Sequence, residues 1–292
     1  MIFNRIKRLN KIFDILSEYF HIAHFNRNSF NFKKIYPFEF ANIFNSTYSN
    51  QINTYGVYHY PVLKKITGCI KKNYIKNNIY LDIGANIGDQ SIYFSKIFKK
   101  VIAYEPHPRI YKILKFNTDF INNINIYNIG LYNKKKKAFQ SKFFHNNFTS
   151  AVHNNSSGYN VTLDTADKIL KRSLINKINF VNITADGSEY KILNGMKELL
   201  SSQNLEIMMI QISNNKQFKK IIKYLKKYNF KNYYFFYSRE INFKSLIIKI
   251  FCILFNKNFD NNFIKIVEGN KGTDWNDSLK HNVLFAKKRM AF

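Results

Sequence analysis

The chain has only two cysteines, Cys69 and Cys252. Two cannot form a disulfide framework, and they lack metal-site spacing, so both read as core residues in a reducing compartment. Acidic residues are scarce as well: 18 Asp and Glu stand against 46 Lys and Arg, a net charge of +28. Such a balance raises nucleic acid or an anionic membrane as a partner. Yet arginine, which reads phosphate and guanine bidentately, is itself in short supply. The lysines travel with Asn, Ile, Phe and Tyr throughout, as an A/T-rich codon supply produces, so no nucleic-acid partner is expected. The chain also lacks an apolar run of the roughly 20 residues a bilayer span needs. Its first stretch, MIFNRIKRLNKIFDILSEYF, carries charges every few residues and reads as neither signal peptide nor membrane span, which makes a cytoplasmic location the expectation.

What is present is legible. Its 292 residues suffice for one α/β domain with additions at its ends. Ile2, Ile6, Leu9, Phe13, Leu16 and Phe20 recur at spacings of four and three, predicting an amphipathic helix. Residues from about 25 to 55 show no clear period and read as an irregular extension, so the main domain is placed at 55–292. Pro61 opens a helix whose apolar face is Val62, Leu63, Ile66, Cys69 and Ile70. From residue 79 onward short apolar runs alternate with helical patterns, the signature of βαβ units. Strands are predicted at 79–83, 101–105, 124–129, 178–184, 206–212, 231–237 and 282–287, and helices at 89–98, 108–119, 189–200 and 216–228. Seven strands with interleaved helices predict a doubly wound sheet, with an insertion at about 238–281. No internal repeat is visible.

The stretch YLDIGANIGDQ, residues 80–90, is a strand-to-helix turn at the C-terminal edge of that sheet, where open α/β sheets bind ligands. A dinucleotide fingerprint would need a glycine at Asn86, between Gly84 and Gly88. Asp82 adds a carboxylate that is awkward for a pyrophosphate and welcome to a cation. S-adenosylmethionine has an ammonium, a sulfonium and no phosphate. About 20 residues on, VIAYEPHP ends a strand with Glu105, where an acidic side chain can accept both ribose hydroxyls.

The blocks YLDIGANIGDQSIYFSKIFKKVIAYEPHPRIYKILKFNTDF, INIYNIGLYN and INFVNITADGSEYKILNGM, with GVYHYPVLKKI upstream and HNVLFAKK at the end, resemble the FkbM-type family of S-adenosylmethionine-dependent methyltransferases over residues 55–287. The resemblance implies the class I methyltransferase (Rossmann-like) fold, a seven-stranded sheet with its last strand antiparallel. It further implies that Asp82, Gly84, Ala85, Asn86 and Gly88 cradle the methionine part of the cofactor. By the same resemblance Glu105 takes the ribose hydroxyls, Pro106 and His107 lead toward the adenine, and Asn128, Ile129 and Gly130 flank its edge. Many relatives O-methylate sugars, glycan chains or natural products.

The fourth strand departs from the family. The usual Lys-Ile-Asp-x-Glu-Gly stands here as Asn182, Ile183, Thr184, Ala185, Asp186 and Gly187, with Glu189 matching a further acidic residue. A sugar hydroxyl loses its proton as it is methylated, and this requires a base within hydrogen-bond reach. Asp186 is the first candidate, against the alternative that it caps the following helix. His145 and His153, in FFHNNFTSAVHNN between the third and fourth strands, come next. No metal is expected, because the remaining acidic residues form no close cluster in sequence.

The expected function is therefore an O-methyltransferase acting on a hydroxyl of a sugar, glycan or related small molecule. The alternatives are a catalytically silent cofactor-binding relative, suggested by Thr184, and a nucleic-acid methyltransferase, although no Asn-Pro-Pro-Tyr-like tetrapeptide follows the fourth strand. The stretch SLIIKIFCILF, residues 245–255, is too short to span a bilayer and reads as a buried element. With the amphipathic N-terminal helix it also gives an expectation of peripheral contact with an anionic membrane.

Overall fold

The computed structural model describes residues 40–42, 51–52, 56–140, 152–153, 158–238, 264–269 and 281–292. The predicted N-terminal helix, the stretch 245–255, Cys252 and His145 lie outside them. Strands are β1 (Ile79–Ile83), β2 (Lys100–Tyr104), β3 (Ile124–Tyr127), β4 (Gly130–Leu131), β5 (Lys136–Gln140), β6 (Val152–His153), β7 (Tyr159–Asp164), β8 (Ile178–Ile183), β9 (Ile207–Ile212), β10 (Asn232–Ser238), β11 (Ile264–Glu268) and β12 (His281–Ala286). The main sheet runs β11-β10-β12-β9-β8-β1-β2-β3. Neighbours from β3 through β9 pair in parallel, while β12 lies antiparallel between β9 and β10. All seven predicted strands are present in this doubly wound sheet. β11 adds an eighth at the edge, antiparallel to β10.

The central strands IYLDI, INFVNI and IMMIQI are buried along their whole length, as parallel strands covered on both faces must be. Alternation divides β1 between two cores. Ile79, Leu81 and Ile83 join one layer, and Tyr80 joins the other with Phe94, Phe98 and Phe180. Tyr80 and Phe94 stand 4.5 Å apart centre to centre, and Phe180 meets Phe94 edge-on at 5.1 Å.

The helix Tyr60–Lys72 buries Val62, Leu63, Ile66, Cys69 and Ile70, the predicted face. Burial pushes the Cys69 thiol up to about 12, so it stays protonated and inert. Asn73 ties the helix end to the C-terminal segment, donating to Cys69 O at 2.8 Å and Ala291 O at 2.9 Å.

Two further features were not foreseen. Between β3 and β8 the chain builds a second sheet in the order β4-β7-β5-β6. The predicted helix 189–200 is broken into Glu189–Asn194 and Lys197–Ser201. Its cause is a close approach: a Cβ on Gly195 would lie 1.8 Å from the Tyr132 carbonyl oxygen.

Candidate functional site

The glycine turn is held at three edges. Gly84 N and Ala85 N both donate to Tyr104 O, at 2.9 and 3.0 Å, and Thr184 N donates to Ile83 O at 2.9 Å. The ends of β1, β2 and β8 therefore meet at one point. Gly84 has φ +81°, and a Cβ there would lie 2.0 Å from Thr184 O, so no other residue fits. Asn86, at the place where a dinucleotide fingerprint has its second glycine, adopts φ 53°. Asparagine is among the few side chains that tolerate this left-handed backbone.

Glu105 faces the turn and is 6 % exposed. Its Oε2 accepts from Asn86 N at 2.9 Å and its Oε1 from His107 N at 2.8 Å. Burial pushes its carboxyl up to about 7, against these two backbone donors, and the charges of Asp82 and Asp186 push the same way. A carboxylate accepts about four hydrogen bonds, so each oxygen keeps acceptor capacity for a ligand.

The other predicted cofactor residues surround this pair in different ways. Asp82 is 1 % exposed, with its carboxylate taking Ser91 Oγ at 2.6 Å and Asn182 Nδ2 at 3.0 Å. Burial raises its carboxyl and those two bonds oppose the rise. The structure thus places Asp82 beneath the turn as a support for β8 and the helix Asp89–Ser95. His107 caps the helix Pro108–Thr118, its Nδ1 accepting from Ile110 N at 3.4 Å, and its ring meets Tyr159 at 4.8 Å. Asn128 Nδ2 bridges Glu105 O at 2.9 Å and Pro106 O at 3.1 Å. Ile129 packs against the larger core, and Gly130 lies close to Pro106.

On the facing loop Asp186 has φ 44° and Gly187 φ 95°. The next helix begins at Glu189 with Ser188 as its cap residue, so Asp186 is not the cap. Glu189, buried, closes the loop instead: its Oε1 accepts from Ala185 N at 3.3 Å and Gly187 N at 3.1 Å, and its Oε2 from Gln217 Nε2. Asp186 lies within electrostatic reach of Glu105 and of the Tyr58 phenol. His153 is in β6, paired in backbone register with Phe139.

Two residues here were not singled out in the sequence. Tyr58 N donates to Asp89 Oδ2 at 2.8 Å, and burial, then Asp89 and Asp186, raise the phenol. Asn117 donates to Ile87 O in the turn at 2.8 Å. The only sequence signal for either was its place in a block of the resemblance, Tyr58 in GVYHYPVLKKI and Asn117 in the segment ending RIYKILKFNTDF.

A sheet of this order with a glycine turn and acidic strand end at its C-terminal edge defines the class I methyltransferase fold. Residues 82–231 match the family described as Methyltransferase FkbM domain. The chain belongs to that family. Among solved structures it is similar to a methyltransferase FkbM from Methylobacillus flagellatus, with 13 % identity, 89 % of this chain and 59 % of that chain covered, and a TM-score of 0.44. A precorrin-6y C5,15-methyltransferase from Geobacter metallireducens gives 10 %, 86 %, 95 % and 0.44. A methyltransferase from Streptococcus mutans in complex with SAH gives 10 %, 79 %, 99 % and 0.41. The chain spans 59 % of the length of the first of these. No curated protein matches it.

S-adenosylmethionine is the cofactor this family implies, and the residues fit it. Asn86 Oδ1 is buried in the turn and accepts no hydrogen bond from any described residue. Glu105 retains open acceptor positions beside it. Asp82, Asp89, Glu105 and Asp186 gather carboxylates around this one turn, in a chain of net charge +28, which suits a cationic ligand. Among the described residues no group of three or more His, Cys, Asp or Glu could hold a metal.

Proposed function

We propose that the protein transfers a methyl group from S-adenosylmethionine to a hydroxyl of a sugar, glycan or related small molecule. The observation that carries this reading is the position of Asp186, on a loop closed by Glu189 and within electrostatic reach of Glu105 across the turn. When bound, the cofactor supplies an electrophilic methyl group. Glu105 and Asn86 would hold it, and Asp186 accepts the proton of the acceptor hydroxyl. Ile52 and Ile87, both fully buried, help keep water from the turn. Positioning in a dry site then supplies much of the rate.

Thr184 in place of the expected aspartate favours a second reading, a cofactor-binding relative without turnover. One experiment separates them. Titration calorimetry should show saturable binding of S-adenosylhomocysteine, and incubation with an extract and labelled cofactor should give a methylated product by mass spectrometry. Binding without any labelled product supports the silent relative. Binding of NAD and of neither sulfur nucleoside would remove both.

A further inference from the structure

The family match begins at residue 82, yet the cofactor turn is covered by residues well upstream of it. Asn117, on the helix Pro108–Thr118, is fully buried and uses its whole amide. Its Oδ1 accepts from Ala41 N at 2.7 Å, and its Nδ2 donates to Ala41 O at 3.0 Å and to Ile87 O at 2.8 Å. One side chain therefore grips the upstream segment in both directions and the turn in the same geometry. Asp89, the first residue of the helix that follows the turn, makes a second attachment through its 2.8 Å bond from Tyr58 N. Between these points Ile52 is fully buried against Ile87 and Ile110, with Phe40, Tyr58 and Ile113 packed around them.

We propose that Asn117 is a positioning residue of the cofactor site, which holds the segment around Ala41 against the Ile87 turn so that segment and cofactor bind cooperatively. This rests on the reading of the turn as a cofactor site. The reasoning is energetic. The turn carries Asn86 and the backbone N–H that meets Glu105, so its freedom to move sets how much order a ligand must impose. Ala41 and Tyr58 restrain it through Asn117 and Asp89, and the Tyr58 phenol is within electrostatic reach of Asp186. A ligand that orders the turn must then also order the segment, and the reverse holds by linkage.

The test uses the full chain and S-adenosylhomocysteine. In the wild type, the nucleoside should slow amide hydrogen exchange at Ala41 and Tyr58. Asn117→Asp keeps the acceptor for Ala41 N and loses both donations. It should weaken calorimetric affinity about 5- to 30-fold, the loss expected for one or two buried hydrogen bonds. It should also abolish the exchange protection at Ala41. Phe40→Ala leaves Asn117 and the turn intact, and should weaken affinity in the same direction by a smaller factor, so that the proposal stays testable if Asn117→Asp fails to fold. A merely structural asparagine would lower the thermal midpoint and leave affinity and protection as in the wild type; that result overturns the proposal alone. A wild type that does not bind the nucleoside overturns the cofactor reading together with it.

Discussion

Glu105 carries a carboxylate into a place that water barely reaches, with one backbone donor on each oxygen. Its upward shift from 4.5 to about 7 has a definite sign. In the free protein its contribution to stability is fully present below about 4.5 and is lost as pH rises through 7. The loss amounts to about 3 kcal/mol, at about 1.4 kcal/mol per factor of ten. A ligand donating hydroxyls to the ionised form offsets that cost and draws the carboxyl down. Affinity for S-adenosylhomocysteine should therefore rise as pH climbs to about 7 and then level off. Calorimetry near pH 6 in buffers of different ionisation enthalpy should show proton release on binding. Glu105→Gln should flatten the pH profile, and Glu105→Ala should weaken binding roughly ten- to a hundredfold. A profile unchanged by Glu105→Gln would take the residue out of the site.

Asp186 makes the complementary case: Asp186→Asn should lower kcat about 100-fold or more and leave nucleoside affinity nearly unchanged, by steady-state kinetics beside calorimetry. Equal turnover would move the base elsewhere. Both were singled out in the sequence, Glu105 by its spacing from Gly84 and Gly88 and Asp186 by its place in the fourth-strand pattern of the family resemblance. Tyr58 and Asn117 were not, since their roles come from bonds spanning 31 and 76 residues that no local pattern encodes.

At the level of elements, the parallel strands were readable because each is a short β-branched run buried on both faces. The helix Tyr60–Lys72 was readable from Pro61 and a 3.6-residue face. The smaller sheet was not. β4 and β6 are two residues each, and β5, KKAFQ, begins with two lysines that mask its alternation. The break at Gly195 was equally hidden, because its cause is a carbonyl more than 60 residues away in sequence. The loop 184–188 gives this scale its prediction. Glu189 satisfies two loop N–H groups and Gln217, and burial raises its carboxyl against those donors. Glu189→Ala should cost about 1–3 kcal/mol in urea denaturation, the price of leaving buried donors unpaired. It should also lower kcat by displacing Asp186, while nucleoside affinity stays close to wild type. A kcat equal to wild type would detach the loop from the chemistry.

For the whole molecule, charge acts at two ranges. The net charge of +28 is spread over the chain, whereas the carboxylates at the turn act on a ligand a few ångströms away. At physiological ionic strength the screening length is about 8 Å, so the two fields respond differently to salt. No helix among the described residues is long and apolar enough to cross a membrane. The lysine-flanked apolar sequences 1–20 and 245–255 lie outside the described residues, and their pattern suits an interfacial helix. Each lysine near an anionic leaflet adds about 1 kcal/mol, and lipid-linked glycan acceptors would be found at such a surface. The full chain should co-sediment with anionic vesicles and not with neutral ones. Raised salt should release it from the vesicles while changing S-adenosylhomocysteine affinity little, because the close carboxylate contacts are poorly screened. Removal of residues 1–24 should weaken the vesicle binding and leave nucleoside binding intact. Absence from both vesicle types, or binding indifferent to salt and to that truncation, would rule out an electrostatic membrane contact and leave the acceptor to be sought among dissolved molecules.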